Sequence, residues 1–130
     1  MSTGGILSDK ALSFKGKESA LAVYEVTEEA VRSFVQALEQ THPYYLDRKK
    51  AENGIYKGMI APPTFIHHAF SYAIAEENVY SMIPRDPLNY ELVKEIDFTV
   101  ELYGGTEIEL FHHIRVGDVL TITHRIADLY

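Results

Sequence analysis

Residues 63–77 read PTFIHHAFSYAIAEE, and this stretch predicts the central element of the fold. Pro63 suits the first position of a helix, where a missing backbone N–H leaves no hydrogen bond unmade. The apolar residues behind it cover most of the circumference of a helix; they are Phe65, Ile66, Ala69, Phe70, Tyr72, Ala73 and Ile74. A helix that is apolar nearly all round is a buried one. The stretch therefore predicts a buried central helix.

Shorter elements flank this helix on both sides. The Val- and Tyr-rich residues 21–26 predict a strand, and apolar residues at helical spacing predict a second helix from about 28 to 39, capped by Thr27. A short helical piece is expected around 47–52. Later stretches alternate or are rich in β-branched residues; the predicted strands are 97–102, 106–111 and 118–130. This order predicts an α+β fold in which the central helix lies against a curved antiparallel sheet.

The composition excludes several classes of function. The 130 residues fit one domain, which we place at 21–130, behind a polar N-terminal arm at 1–20. Without cysteine there is no disulfide framework and no thiolate nucleophile. A net charge of -7 argues against nucleic-acid binding. No apolar run approaches the ~20 residues that span a bilayer, and residues 1–16 lack the apolar part of a signal peptide. We therefore expect a cytoplasmic protein that binds neither nucleic acid nor membrane.

The six histidines are not spaced as metal ligands. His67 and His68 are adjacent on the predicted helix and diverge by about 100°. His112 and His113 are adjacent on or just after a predicted strand and would point to opposite faces. No two-histidine ligand motif, Walker loop or dinucleotide-binding glycine pattern is present. We therefore expect no metal and no cofactor.

The segment between the two long predicted helices carries the most information about function. It runs from 40 to 63, is polar and aromatic, and is interrupted by Pro and Gly. Loops of this length are uncommon as simple connections within a compact domain, and long ordered loops are usually functional.

Three motifs in residues 37–65 resemble the MaoC-like hydratases and dehydratases, specifically the N-terminal branch that looks like the dehydratase domain of type I fatty acid synthases. They are HPYYLD at 42–47, the turn from Gly54 to Gly58, and IAPPTF at 60–65. The C-terminal part adds GGTEIE at 104–109, RVGDVL at 115–120 and RIAD at 125–128. The resemblance covers about residues 20–130. It implies a hot-dog fold, here with terminal strands missing or shortened, and chemistry on an acyl-CoA or a carrier-bound acyl chain.

The sequence departs from this family at the positions that carry catalysis. Active (R)-specific members have an Asp and, five residues later, a His that together activate water; the aligned positions here hold Gln40 and Tyr45. Glutamine cannot accept a proton at useful pH, and a tyrosine with an ordinary pKa of about 10 is a poor base. The resemblance therefore implies a chain without catalytic residues of its own. It would form a hetero- or homodimer with another hot-dog subunit. If this chain is an accessory subunit, the other subunit supplies the Asp and His.

In that role the chain would shape the acyl tunnel of a hydratase or dehydratase. The expected lining residues are Tyr45, Met59, Ile60, Phe65 and Phe70. For Phe65 and Phe70 plain core packing is an equal expectation, because apolar residues of a buried helix are core by default. Two alternatives stay open: a hot-dog acyl-CoA thioesterase with a carboxylate on the central helix, and an acyl-thioester binding or assembly module without turnover. The basic residues at 48–50 and Lys57 could contact CoA phosphates, although a solvated helix face is the more common role of such a run.

Overall fold

The structure, a computed structural model, describes residues 7–74, 87–96 and 102–130. Its elements in chain order are α1 (Asp9–Leu12), β1 (Ala22–Glu25), α2 (Glu28–Ala37), α3 (Pro43–Leu46), α4 (Arg48–Asn53), α5 (Phe65–Ile74), α6 (Pro87–Val93) and β2 (Val119–Ile122). The predicted strand at 97–102 falls, except for its last residue, outside the described residues, as do residues 75–77 of the predicted central helix.

Helix α2 forms where its apolar spacing predicts. Thr27 Oγ1 accepts a hydrogen bond from the backbone N–H of Ala30 at 3.1 Å, which satisfies one of the free donors of the first turn. The helix ends in a Schellman motif. Glu39 takes the left-handed conformation with φ 54°, and the N–H groups of Glu39 and Gln40 donate to the carbonyls of Gln36 and Val35, each at 3.0 Å. This cap fixes the backbone where the long predicted loop begins.

The two strands β1 and β2 pair antiparallel, in a register that runs from Ala22 opposite Ile122 to Glu25 opposite Val119. The predicted strand at 21–26 is confirmed, and the one at 118–130 is confirmed in shortened form. The strand predicted at 106–111 is wrong for the described part of the chain, where these residues pair with no strand. Their alternation indicates a half-buried face, but a strand also needs a neighbouring backbone to satisfy its hydrogen bonds.

The main core lies between α2, α5 and the two-stranded sheet. Its buried members are Val26, Val31, Val35, Ala61, Phe65, Ala69, Ile114 and Ile122. The ring of Phe65 is fully buried and meets the rings of Phe34 and Tyr24 edge-on, with centroids 5.4 and 6.1 Å away. Helix α5 is thus central, as predicted. It is not buried all round, because Tyr72 is 62% exposed to solvent.

A second, smaller core holds the described part of the N-terminal arm against the C-terminal segment. Ala11 and Phe14 are buried together with Leu92 of α6. Three backbone hydrogen bonds then join the arm to residues 124–126. The N–H of Gly16 donates to the carbonyl of Ile126 at 2.7 Å, and the N–H of Ile126 donates to the carbonyl of Lys17 at 3.0 Å. The N–H of Ser19 donates to the carbonyl of His124 at 2.8 Å. The described part of the arm therefore runs alongside residues 124–126.

One histidine of α5 lies inside an aromatic cluster. The rings around His68 are those of Tyr72, Phe65, Phe34 and Tyr24, with centroids 4.5, 5.1, 5.7 and 6.1 Å away. Burial among these rings lowers the pKa of His68. The folded protein therefore favours the neutral imidazole.

We expect this histidine to make the protein less stable in mild acid. The unfolded chain takes up a proton at its ordinary pKa of 6.5, before the folded chain does, so the free energy of unfolding should fall as the pH drops from 6.5 towards the lowered pKa of His68. Urea unfolding followed by circular dichroism at pH values between about 8 and 5.5 measures this slope. His68→Gln should flatten the slope, and the matched change at the exposed neighbour, His67→Gln, should leave it in place. A slope that survives His68→Gln would contradict the assignment.

Candidate functional site

An open pocket of about 370 Å³ lies between the predicted functional loop and the segment that leads into β2. Its lining residues are His42, Tyr44, Tyr45, Ile55, Tyr56, Ile60, Ala61, Pro63 and His113. The set contains three tyrosines and two histidines, and it has no carboxylate, lysine or arginine. The pocket can therefore supply hydroxyl groups, imidazoles and apolar contacts to a ligand.

Two short helices place the tyrosines on the pocket wall. Pro43 opens α3, and Nδ1 of His42 accepts a hydrogen bond from the backbone N–H of Tyr44 at 3.3 Å. Asp47 ends α3 and caps α4 at once, since its Oδ1 accepts from the backbone N–H of Lys50 at 3.0 Å. The motif HPYYLD thus encodes two consecutive helix caps, with Tyr44 and Tyr45 held between them.

Gly54, which follows α4, leaves room for one of these rings. A Cβ atom added at Gly54 would lie 2.5 Å from Cε1 of Tyr44. The backbone of Gly54 has φ −81°, so it is the close approach of the ring, and not the conformation, that requires glycine here.

We expect Gly54→Ala to push the Tyr44 ring out of place and to cost about 1 kcal/mol of stability, the lower end of what overpacking costs, because the end of a partly exposed side chain can move. Urea unfolding measures the loss. The matched control is Gly58→Ala, where the added Cβ would meet only Nη1 of Arg115 at 3.8 Å, an ordinary contact. Equal losses in the two variants would rule out a specific role for Gly54.

The opposite wall is built by backbone pairing over a long sequence distance. The N–H of Ala61 donates to the carbonyl of Ile114 at 2.8 Å, and the N–H of Val116 donates to Met59 at 3.1 Å. This pairing brings His113 to the pocket, where its ring centroid lies 4.4 Å from that of Tyr56.

A tight turn behind this wall explains the Arg-x-Gly-Asp motif. Asp118 Oδ2 accepts a hydrogen bond from the backbone N–H of Arg115 at 2.8 Å, and Gly117 takes φ 96°, which a side chain would strain. The guanidinium group of Arg115 donates to the carbonyl of Tyr56. The motif therefore positions the pocket wall from behind.

The structure brings only some of the predicted site residues to this pocket. Tyr45 and Ile60 line it. Met59 is buried outside the lining set, and Phe65 is part of the main core. Phe70 is half-buried, packs on that core and meets the ring of His124 at 5.1 Å.

Gln40 and Tyr45, which the resemblance implies stand at the positions of the catalytic pair, differ in their place relative to the pocket. Tyr45 is on the pocket wall, whereas Gln40 is exposed and outside the lining set. Four polar lining residues were not predicted; they are His42, Tyr44, Tyr56 and His113. The HPYYLD motif contains a signal for the first two, while His113 joins the pocket only through the backbone pairing of distant segments.

The basic residues near the loop are partly engaged by carboxylates. The guanidinium of Arg48 donates to the carboxylate of Glu28, and the guanidinium of Arg32 donates to the same carboxylate at 2.8 Å. The hydrogen bond from Arg48 is the largest cause of a lowered pKa of Glu28, and that from Arg32 is the next. Nζ of Lys50 lies 3.8 Å from Asp47. Glu28 thus ties α2 to α4. This use of Arg48 favours a structural role over contact with a phosphate.

Within the described ranges, no three His, Cys, Asp or Glu side chains lie close enough to hold a metal ion. In the same ranges we find no helix of the length and apolarity needed to cross a membrane.

Known proteins with similar sequences point to the same family as the sequence motifs. Residues 13–130 match the family model of the FAS1-like dehydratase domain region. A UPF0336 protein of Streptomyces griseus is 34% identical over 103 residues, covering 79% of this chain and 61% of the relative. A UPF0336 protein of Streptomyces avermitilis is 31% identical over 106 residues, covering 82% and 63%. The chain therefore spans less than two thirds of the length of these curated relatives.

Solved structures show the same fold at low identity. The R-hydratase PhaJ1 of Pseudomonas aeruginosa superposes with a TM-score of 0.57 at 18% identity, over 84% of this chain and 58% of the hydratase. The HadBC (3R-hydroxyacyl-ACP dehydratase) complex of Mycobacterium tuberculosis gives 0.59 at 17% identity, over 85% and 69%. These likenesses confirm the predicted α+β hot-dog fold with shortened strands. This chain therefore belongs to the FAS1-like dehydratase-domain family, the MaoC-like hot-dog hydratases and dehydratases that its motifs resemble.

Proposed function

We propose that this chain is the non-catalytic half of an (R)-specific enoyl-thioester hydratase or 3-hydroxyacyl dehydratase. The observation that carries the proposal is the absence of any carboxylate among the residues that line the described pocket. Gln40 and Tyr45 stand at the positions of the family's Asp and His, so neither member of the dyad is present. A second hot-dog subunit would supply both.

The chemistry explains why this lack matters. Hydration of an enoyl thioester needs a base for water, an acid for the α-carbon and donors for the developing enolate oxygen. His42 is a poor substitute for the base, because its Nδ1 already accepts the hydrogen bond from the N–H of Tyr44. In a neutral imidazole bonded in this way, Nε2 carries the proton. His42 is therefore better suited to shaping the pocket than to moving a proton.

Two of the similar structures support an acyl thioester as the substrate and a second subunit as the partner. One is an R-hydratase, and the other is a complex that acts on a 3R-hydroxyacyl group carried by ACP. On this basis we propose that the chain assembles with a hot-dog subunit and contributes its pocket to an acyl-CoA or an acyl chain on a carrier protein.

The thioesterase alternative lacks support within the described helix. It needs a carboxylate on the central helix, and Phe65–Ile74 contains none. A passive binding module differs from the proposal because it would not change the activity of any partner.

Steady-state assays on the chain alone separate these functions. With crotonyl-CoA we expect no hydration above the uncatalysed background, and with an acyl-CoA in the presence of a thiol reagent we expect no release of CoA. Release of CoA would favour the thioesterase. Hydration by the chain alone would show that a base has been missed and would overturn the proposal.

A further inference from the structure

We infer that the pocket selects a planar, conjugated or aromatic acyl group over a saturated alkyl tail of the same carbon number. This inference deepens the proposed function and rests on it for the thioester part of the ligand. It is carried by a continuous row of rings that runs from one wall of the pocket to the opposite wall.

The row consists of four rings in successive contact. The centroid of His42 lies 4.8 Å from that of Tyr44, Tyr44 lies 5.7 Å from Tyr56, and Tyr56 lies 4.4 Å from His113. The interplanar angles of 69°, 90° and 64° make each contact edge-to-face. All four residues line the pocket, so a ligand that enters it can contact their rings. Aromatic groups prefer these geometries at centroid distances of about 4.5–7 Å.

Two of the four rings, and the backbone of a third residue, are held in place by contacts within the chain. Tyr44 lies against the bare Cα of Gly54, with no room for a Cβ between them. His42 is fixed by its hydrogen bond to the backbone N–H of Tyr44, and the backbone of Tyr56 is fixed by the guanidinium of Arg115. A row that is partly fixed beforehand loses less conformational entropy on binding, so its ring contacts contribute more to affinity.

The rest of the pocket is compatible with a flat apolar group. Ile60 and Ala61 are 5% and 3% exposed and form an apolar floor. A volume of about 370 Å³ is at the small end of ligand pockets, which span roughly 300–1,000 Å³. An alkyl tail would gain only from apolar burial here, whereas a conjugated group would gain burial and ring contacts together.

Calorimetric titration of the whole chain with trans-cinnamoyl-CoA and trans-2-nonenoyl-CoA tests this inference. The two ligands share the CoA part and the number of acyl carbons, so the ratio of their dissociation constants isolates the shape of the acyl group. We expect cinnamoyl-CoA to bind about fivefold more tightly, as one or two added ring contacts predict. Nonenoyl-CoA binding equally or more tightly, or binding of neither thioester, would overturn the inference.

Variants show whether the preference comes from the row of rings. Tyr56→Leu removes a central ring and should bring the ratio close to one, and Tyr44→Leu should do the same if Tyr56→Leu does not fold. Tyr72→Leu is the matched control, because Tyr72 is 62% exposed on α5 and lies outside the pocket. An unchanged ratio in both pocket variants would overturn the inference.

This test is separable from the test of the proposed function, because it measures binding by the chain alone and not turnover. Selective binding of cinnamoyl-CoA by a chain that activates no partner would sustain the inference on ligand shape and refute the accessory role. Equal binding of the two thioesters by a chain that does activate a partner would do the reverse.

Discussion

Replacing Phe65 with alanine is expected to lower the free energy of unfolding by about 3–5 kcal/mol. The side chain is fully buried at the start of α5, and it joins three elements by meeting the rings of Tyr24 and Phe34. Truncation removes buried apolar surface and leaves a cavity between a helix and a sheet that are already in contact, so the site cannot collapse freely.

Urea unfolding followed by far-ultraviolet circular dichroism measures this loss. The matched control is Phe111→Ala. Phe111 is 78% exposed to solvent, so its truncation should change the free energy of unfolding by no more than about 0.5 kcal/mol. If both variants lose the same amount, Phe65 does not anchor the core as described.

The parts of the fold that were predictable are those written in local patterns. The apolar stripe and the Thr27 cap locate α2, and the Pro63 signal places the start of α5 to within two residues of Phe65. A strand pattern, in contrast, specifies which face is apolar but not which backbone pairs with it. This is why the strand predicted at 106–111 was wrong for the described residues. The four-residue helix α1 depends on caps and tertiary packing, and the sequence pattern did not reveal it.

In the proposed complex of this chain with a catalytic hot-dog subunit, we expect the two subunits to respond very differently to matched substitutions. Changing the catalytic Asp of the partner subunit to Asn is expected to lower kcat by about 10²–10⁴-fold, because proton transfer then has no base. Gln40→Ala in this chain should leave kcat within about twofold, since an exposed amide outside the pocket carries no proton in the reaction.

Steady-state hydration of crotonyl-CoA gives kcat for the complex with the partner's substitution and for the complex with Gln40→Ala. Size-exclusion chromatography of each complex confirms that assembly is unchanged. A loss of activity on Gln40→Ala comparable to that on the partner's substitution would mean that this chain takes part in the chemistry.

The candidate site could be predicted only where the sequence carries a local motif. The resemblance placed Tyr45 and Ile60 at the substrate, and both line the pocket. The apolar character of Met59 and Phe65 did not reveal which side of the chain each faces, and the structure buries both outside the lining set. His113 reaches the pocket because residues 59–61 pair with 114–116, a contact between distant segments that no local pattern encodes.

The accessory role is tested by the rate of crotonyl-CoA hydration as this chain is titrated into a fixed amount of a hot-dog partner that carries the Asp and His. We expect no activity from this chain alone and a rate that rises with added chain until the two subunits are equimolar. Hydration by this chain alone would refute the accessory role, and so would a partner whose full activity does not depend on the added chain.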